Sequence, residues 1–131
     1  MPATLYGHMT WTTRERAPLI TQAIAQFLEH FLPLQAERYG AKVLALGIVQ
    51  DHVHALLHLR PDCDIADLAR GLKGASSRLV NRDGIASPQR PLRWARGYDL
   101  RSVAPRGLVA VERYIRDQAQ RHPLDAVSVE G

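Results

Sequence analysis

A chain of 131 residues, 46% hydrophobic and 23% charged, has room for one folded domain and enough apolar content to build its core. Seventeen Lys and Arg against thirteen Asp and Glu give a net charge of +4, which suits an anionic partner. The longest apolar stretch, from Val43 to Val49, excludes a membrane-spanning helix, and the lone Cys63 excludes an internal disulfide and a cysteine-built zinc site. The first residues lack the basic and apolar regions of a secretion signal, so the chain is read as cytoplasmic.

In chain order, Leu5, Gly7, Met9 and Trp11 alternate with Tyr6, His8, Thr10 and Thr12, which predicts a strand over 5–13. Pro18 suits a first helical turn. From there Ile20, Ala23, Ile24, Phe27, Leu28, Phe31 and Leu34 recur at three and four, predicting a helix over 18–39 with Pro33 as a candidate kink and Gly40 as its stop. Two short apolar runs, 42–49 and 52–59, flank Gln50-Asp51 and read as a hairpin. Asp64 caps a second helix over 64–81. Gly84, Ser87, Pro88 and Pro91 make 83–92 a loop. A strand is expected within 93–104 despite Gly97, then a last helix over about 107–121 ended by Pro123, and a frayed tail over 124–131. The order is strand, helix, strand, strand, helix, strand, helix. This predicts an α+β fold: a ferredoxin-like antiparallel sheet (βαββαβ) with helices on one face and an added C-terminal helix, in a single domain over 1–131.

The sharpest chemical feature is His52-Val53-His54. Residues two apart on a strand share a face, so the two imidazoles lie side by side, able to grip one metal ion, while Val53, Ala55, Leu57 and Leu59 face the core. The pair alone also fits two surface histidines on a half-buried sheet. His58 shares that face but lies roughly 13 Å from His54 at the usual strand rise, too far for the same ion. On the last helix Tyr114 and Gln118 are four apart and fall on one face, with Val111, Ile115 and Ala119 as an adjacent apolar stripe. Taken alone, that pattern is better explained by an amphipathic helix with an edge tyrosine. Taken together, the two features supply a nucleophilic hydroxyl and three neutral ligands that leave a metal its full charge for a phosphodiester.

These residues resemble the single-tyrosine HUH transposases of the insertion-sequence-200/605 type, over nearly the whole chain. His52-Val53-His54 matches the HUH motif. Leu72-Lys73 with Ser76-Ser77 resembles the family's Leu-Lys and Ser-Ser helix. Trp94-Ala95-Arg96-Gly97-Tyr98 resembles its Trp-x-x-Gly-Tyr, and Tyr114-Ile115-Arg116-Asp117-Gln118 its Tyr-Ile-x-Asn-Gln. The resemblance implies that Tyr114 attacks single-stranded DNA to form a 5′-phosphotyrosine, and that His52, His54 and Gln118 hold Mg²⁺ or Mn²⁺. It also implies a homodimer acting on hairpin ends. The chain departs from the pattern at Asp117, where the family often has Asn. It departs again at Arg121, where a histidine is common before His122, and at Asp99-Leu100-Arg101.

Basic residues outside the motifs are candidates for DNA contact. Between Arg90 and Arg121 eight arginines face three acids, and Arg suits bidentate phosphate binding. Arg14, Arg16, Lys73, Arg78, Arg96 and Arg101 are the candidates; each alone also fits a solvated surface. Trp11 and Trp94 suit core positions better than base stacking, helix packing explains Ser76-Ser77 better than a hydrolase site, and Cys63, outside any motif, reads as a small buried residue rather than a nucleophile. A relative that binds structured nucleic acid without strand transfer is the alternative function. Replication initiators and relaxases share the chemistry but need longer chains, and a ferredoxin-like metal or small-molecule sensor would show no DNA affinity.

Overall fold

The computed structural model describes residues 5–118. Strand β1 (Leu5–Thr12) is followed by a 3-10 turn (Arg14–Arg16) and helix α1 (Gln22–Glu37). Strands β2 (Ala41–Ile48) and β3 (His52–Leu59) form the hairpin, and helix α2 (Ile65–Arg82) follows. Strand β4 (Asp99–Ser102), a 3-10 turn (Pro105–Gly107) and helix α3 (Leu108–Arg116) complete the described chain. The four strands make one antiparallel sheet in the order β2-β3-β1-β4, the expected split βαβ arrangement. No helix among the described residues is long and apolar enough to cross a membrane.

The sheet separates two unequal layers. Met9 and Trp11 of β1 and Val53, Ala55 and Leu57 of β3 point to the side covered by α1 and α2, where they meet Leu28, Leu32, Leu68 and Leu72 in the main core. The added helix takes the opposite face. There Ile115 of α3 packs on Ala45 of β2 and Leu56 of β3, with Leu44, Val103, Leu108 and Val111 around them. Strand β3 is therefore covered on both sides, and its only exposed residue is His58, stacked on Tyr6 at a centroid distance of 5.0 Å.

A bulge in β2 adapts the sheet to α3. Val43 pairs with Leu57 but Ala45 with Leu56, so Leu44 is left over in the ladder. Its carbonyl accepts a hydrogen bond from Arg116 at 3.1 Å, tying down the end of α3. The bulge also brings the small residues Ala45 and Gly47 onto the face where α3 lies.

Three expected boundaries move. Helix α1 starts at Gln22, not near Pro18, because the Thr21 hydroxyl accepts from the Ile24 amide at 3.3 Å and makes the N-cap; Pro18 lies in the extended approach. The helix runs through Pro33, which has no amide to donate to the carbonyl four residues back, on exposed Glu29. The strand expected within 93–104 shrinks to Asp99–Ser102. Gly97 turns the chain at φ +80°, and upstream of it Trp94 makes an isolated bridge to Thr13. The asparagine-free hairpin turn, the Asp64 cap accepting from Asp67 at 3.0 Å, and the Gly40 stop at φ +82° are as expected. The end of the last helix, Ala119, Arg121, His122 and the tail lie outside the described residues.

Candidate active site

The outer face of β1 and β3 carries the site. In their antiparallel register Thr12 pairs with His52 and Thr10 with His54, and His8 lies two residues further along the same face. The His52 and His54 rings stand 4.9 Å apart, and the residues are only 6% and 8% exposed.

Each histidine is held through Nδ1. The Asp51 carboxylate lies 2.7 Å from His52 Nδ1, and its other oxygen accepts from Arg16 Nε at 3.2 Å. Asp51 is fixed in turn, since its carbonyl accepts from the Thr13 amide at 2.8 Å. The turn that brings Arg16 there places both Glu15 and Arg16 in the left-handed region, at φ 57° and 56°, a conformation that costs about 1–2 kcal/mol per non-glycine residue. Burial alone would raise the Asp51 carboxyl, but the hydrogen bonds from His52 and Arg16 and the guanidinium charge outweigh it and hold it below the ordinary value. His54 Nδ1 lies 2.8 Å from His8 Nε2 and 3.1 Å from the Thr10 hydroxyl. Burial lowers the His8 pKa, with Asp99 opposing and Arg101 adding.

Helix α3 places Tyr114 over this cluster. Its ring stands edge-on to His54 at 5.9 Å and to His8 at 6.2 Å, and the residue is 37% exposed. A crevice of about 520 Å³ opens here, floored by His8, Thr10 and His54, walled by Tyr114 and Val111 of α3, and rimmed by Asp99 and Arg101 of β4. Gln118 follows the helix end and is 1% exposed. Its Nε2 donates to the Tyr114 carbonyl at 2.9 Å, while its Oε1 is buried with no hydrogen-bond partner among the described residues. The side chain passes over Gly47, the residue paired with His54.

That arrangement fits a divalent cation. With Nδ1 engaged on both histidines, Nε2 is the nitrogen each would offer. The buried Gln118 oxygen is an orphaned acceptor of the kind an ion satisfies. Among the described residues no group of three His, Cys, Asp or Glu side chains is placed to hold a metal; two imidazoles and the Gln118 amide are the donors that this face would offer.

The candidate basic residues divide. Arg101 rims the crevice, 3.1 Å from Asp99, and Arg14 and Arg96 are exposed. Arg16 is tied to Asp51. Lys73 Nζ donates to the carbonyls of Ala95 and Gly97, both at 2.7 Å, so it anchors a loop, and burial lowers its pKa. Lys73 and Arg78 belong to the helical layer behind the sheet. Ser76 is buried, accepting from Trp94 Nε1 at 3.1 Å and donating to the Lys73 carbonyl at 3.0 Å, a packing role. Burial, then Asp62 and Asp64, pushes the Cys63 thiol up, which disfavours the reactive thiolate.

His8, Thr10 and Asp51 escaped the sequence reading. Asp51 stood beside His52 and could have been read as its carboxylate partner. His8 needed the register between β1 and β3, which no local pattern supplies.

A ferredoxin-like sheet with a histidine pair facing a helix-borne tyrosine defines the class of the HUH proteins. The chain belongs to the IS200-like transposase family, which residues 3–118 match. The ISDra2 transposase TnpA of Deinococcus radiodurans is 29% identical over 117 residues, covering 85% of this chain and 81% of that protein. Two solved structures share the fold. A transposase from Deinococcus radiodurans superposes with a TM-score of 0.70 at 24% identity, covering 98% of this chain and 95% of that one. A REP-associated tyrosine transposase bound to a REP hairpin gives 0.65 at 15% identity, covering 93% and 70%.

Proposed function

We propose that this transposase cuts and rejoins single-stranded DNA through Tyr114, assisted by Mg²⁺ or Mn²⁺ held by His52, His54 and Gln118. The observation that carries the reading is the Tyr114 ring standing 5.9 Å from His54 at an open crevice on the metal-ligand face. The bound ion supplies positive charge that polarises the scissile phosphate. Tyr114 oxygen attacks phosphorus and gives up its proton. The bond to the 3′-oxygen breaks, that oxygen takes up a proton, and the 5′-phosphate stays esterified to Tyr114. One phosphoester replaces another, so a 3′-hydroxyl can reverse the step and rejoin the strand without a further energy source. Arg101 at the rim suits the strand's phosphates. The protein takes hairpin ends as substrate and works as a homodimer, as its resemblance to the HUH transposases implies.

The test is a denaturing gel of labelled single-stranded DNA carrying hairpin ends, incubated with protein and Mn²⁺. A band that resists denaturation, and that is lost in Tyr114→Phe and under chelator, is expected. Hairpin binding in a native gel with no such band would instead establish a binding-only protein. Sedimentation of the free protein checks the dimer.

A further inference from the structure

We propose that His8 is a positioning residue for His54: its imidazole accepts a hydrogen bond from the Nδ1–H of His54 and so presents the lone pair of His54 Nε2 for the metal. The inference rests on the metal-assisted reading above and adds a residue to it.

A neutral imidazole has one N–H and one lone pair. If Nε2 gives its pair to a cation, Nδ1 must carry the proton, and a buried N–H needs an acceptor. Among the described residues, His8 Nε2 at 2.8 Å and Thr10 Oγ1 at 3.1 Å lie within reach of His54 Nδ1. The shorter contact is to His8. The Thr10 hydroxyl also lies 3.4 Å from His8 Nε2, so it can bridge the pair but does not replace it. His52 needs no such help, because the Asp51 carboxylate can only accept. The two ligands are thus held by different chemistry, one by an anion and one by a second imidazole. His8 also pairs across the sheet with Arg101, so it joins the metal ligand to the rim of the crevice.

Removing the acceptor while keeping the fold separates positioning from packing. His8→Leu fills similar space and accepts nothing. His8→Gln puts an amide oxygen near the place of Nε2. Titration calorimetry with Mn²⁺ on the DNA-free protein should show His8→Leu weakened by about tenfold or more, and His8→Gln within about threefold of the parent. His52→Ala marks binding at this site. Long-range ¹H–¹⁵N spectra with Mg²⁺ should show His54 protonated at Nδ1 in the parent and in His8→Gln. Parent-like Mn²⁺ affinity in His8→Leu, with the parent's binding lost in His52→Ala, overturns the role of His8 alone. An equal loss in His8→Gln and His8→Leu also overturns it, since packing would then be the cause. No His52-dependent Mn²⁺ binding in the parent overturns both this role and metal assistance.

Discussion

Gly47 of β2 lies directly under the Ile115 carbonyl of α3, so close that a methyl group on Gly47 would run into that backbone oxygen and crowd the Gln118 side chain. A flexible side chain could yield there, but a helix backbone cannot without shifting the whole element. Gly47→Ala should therefore lift the end of α3 from the sheet, costing about 1–3 kcal/mol of stability. Covalent capture of DNA should fall much further than hairpin affinity. Thermal melts beside the denaturing gel read both effects.

Asp51 should matter more for metal than for folding. Asp51→Leu removes the acceptor for His52 Nδ1 and the partner of Arg16 together. Mn²⁺ affinity is expected to drop about 10–100-fold, with Asp51→Asn in between because its amide oxygen still accepts. Calorimetry orders the three proteins.

Lys73 and Arg101 make a contrasting pair, although the sequence offers both as DNA contacts. The Lys73 ammonium serves two loop carbonyls. Lys73→Met should lower the melting temperature and leave the salt dependence of DNA binding unchanged. Arg101→Ala should do the reverse, reducing the slope of log affinity against log salt by about one. Binding titrations at several salt concentrations separate them.

Cys63 should alkylate slowly near neutral pH. Burial, with Asp62 and Asp64 close by, favours the thiol over the thiolate, so less of the reactive form is present than for a free cysteine. The rate of iodoacetamide labelling should rise to its plateau at a higher pH than glutathione does. A labelling profile matching that of glutathione would contradict the shift.

Elements with strong periodicity were legible in the sequence. Strand His52–Leu59 and helix Ile65–Arg82 emerge within a residue of their expected ends, because alternation and the Asp64 cap are local signals. The start of α1 lies beyond the expected Pro18 because the hydroxyl of Thr21, not the proline, caps the helix. The bulge at Leu44 left no mark in an all-apolar run. In the site, His52, His54, Tyr114 and Gln118 stood out by spacing. The structure brings Tyr114 over His54 and passes Gln118 across the partner of His54. His8 came into view only with the pairing of β1 and β3, since a residue 46 positions from its hydrogen-bond partner carries no spacing signal.

The two layers on the sheet differ in how firmly they are held. His8, His52 and His54 ride on β1 and β3, the strands with neighbours on both sides. Among the described residues, Tyr114 rides on the Leu108–Arg116 helix, whose one buried side chain, Ile115, meets Ala45 and Leu56. Amide exchange in α3 is expected to precede exchange in β3, which native-state hydrogen exchange would read. In the proposed chemistry, the face that would hold the ion and the helix that would carry the cut end then have separate thresholds for opening, so one could loosen while the other stays folded.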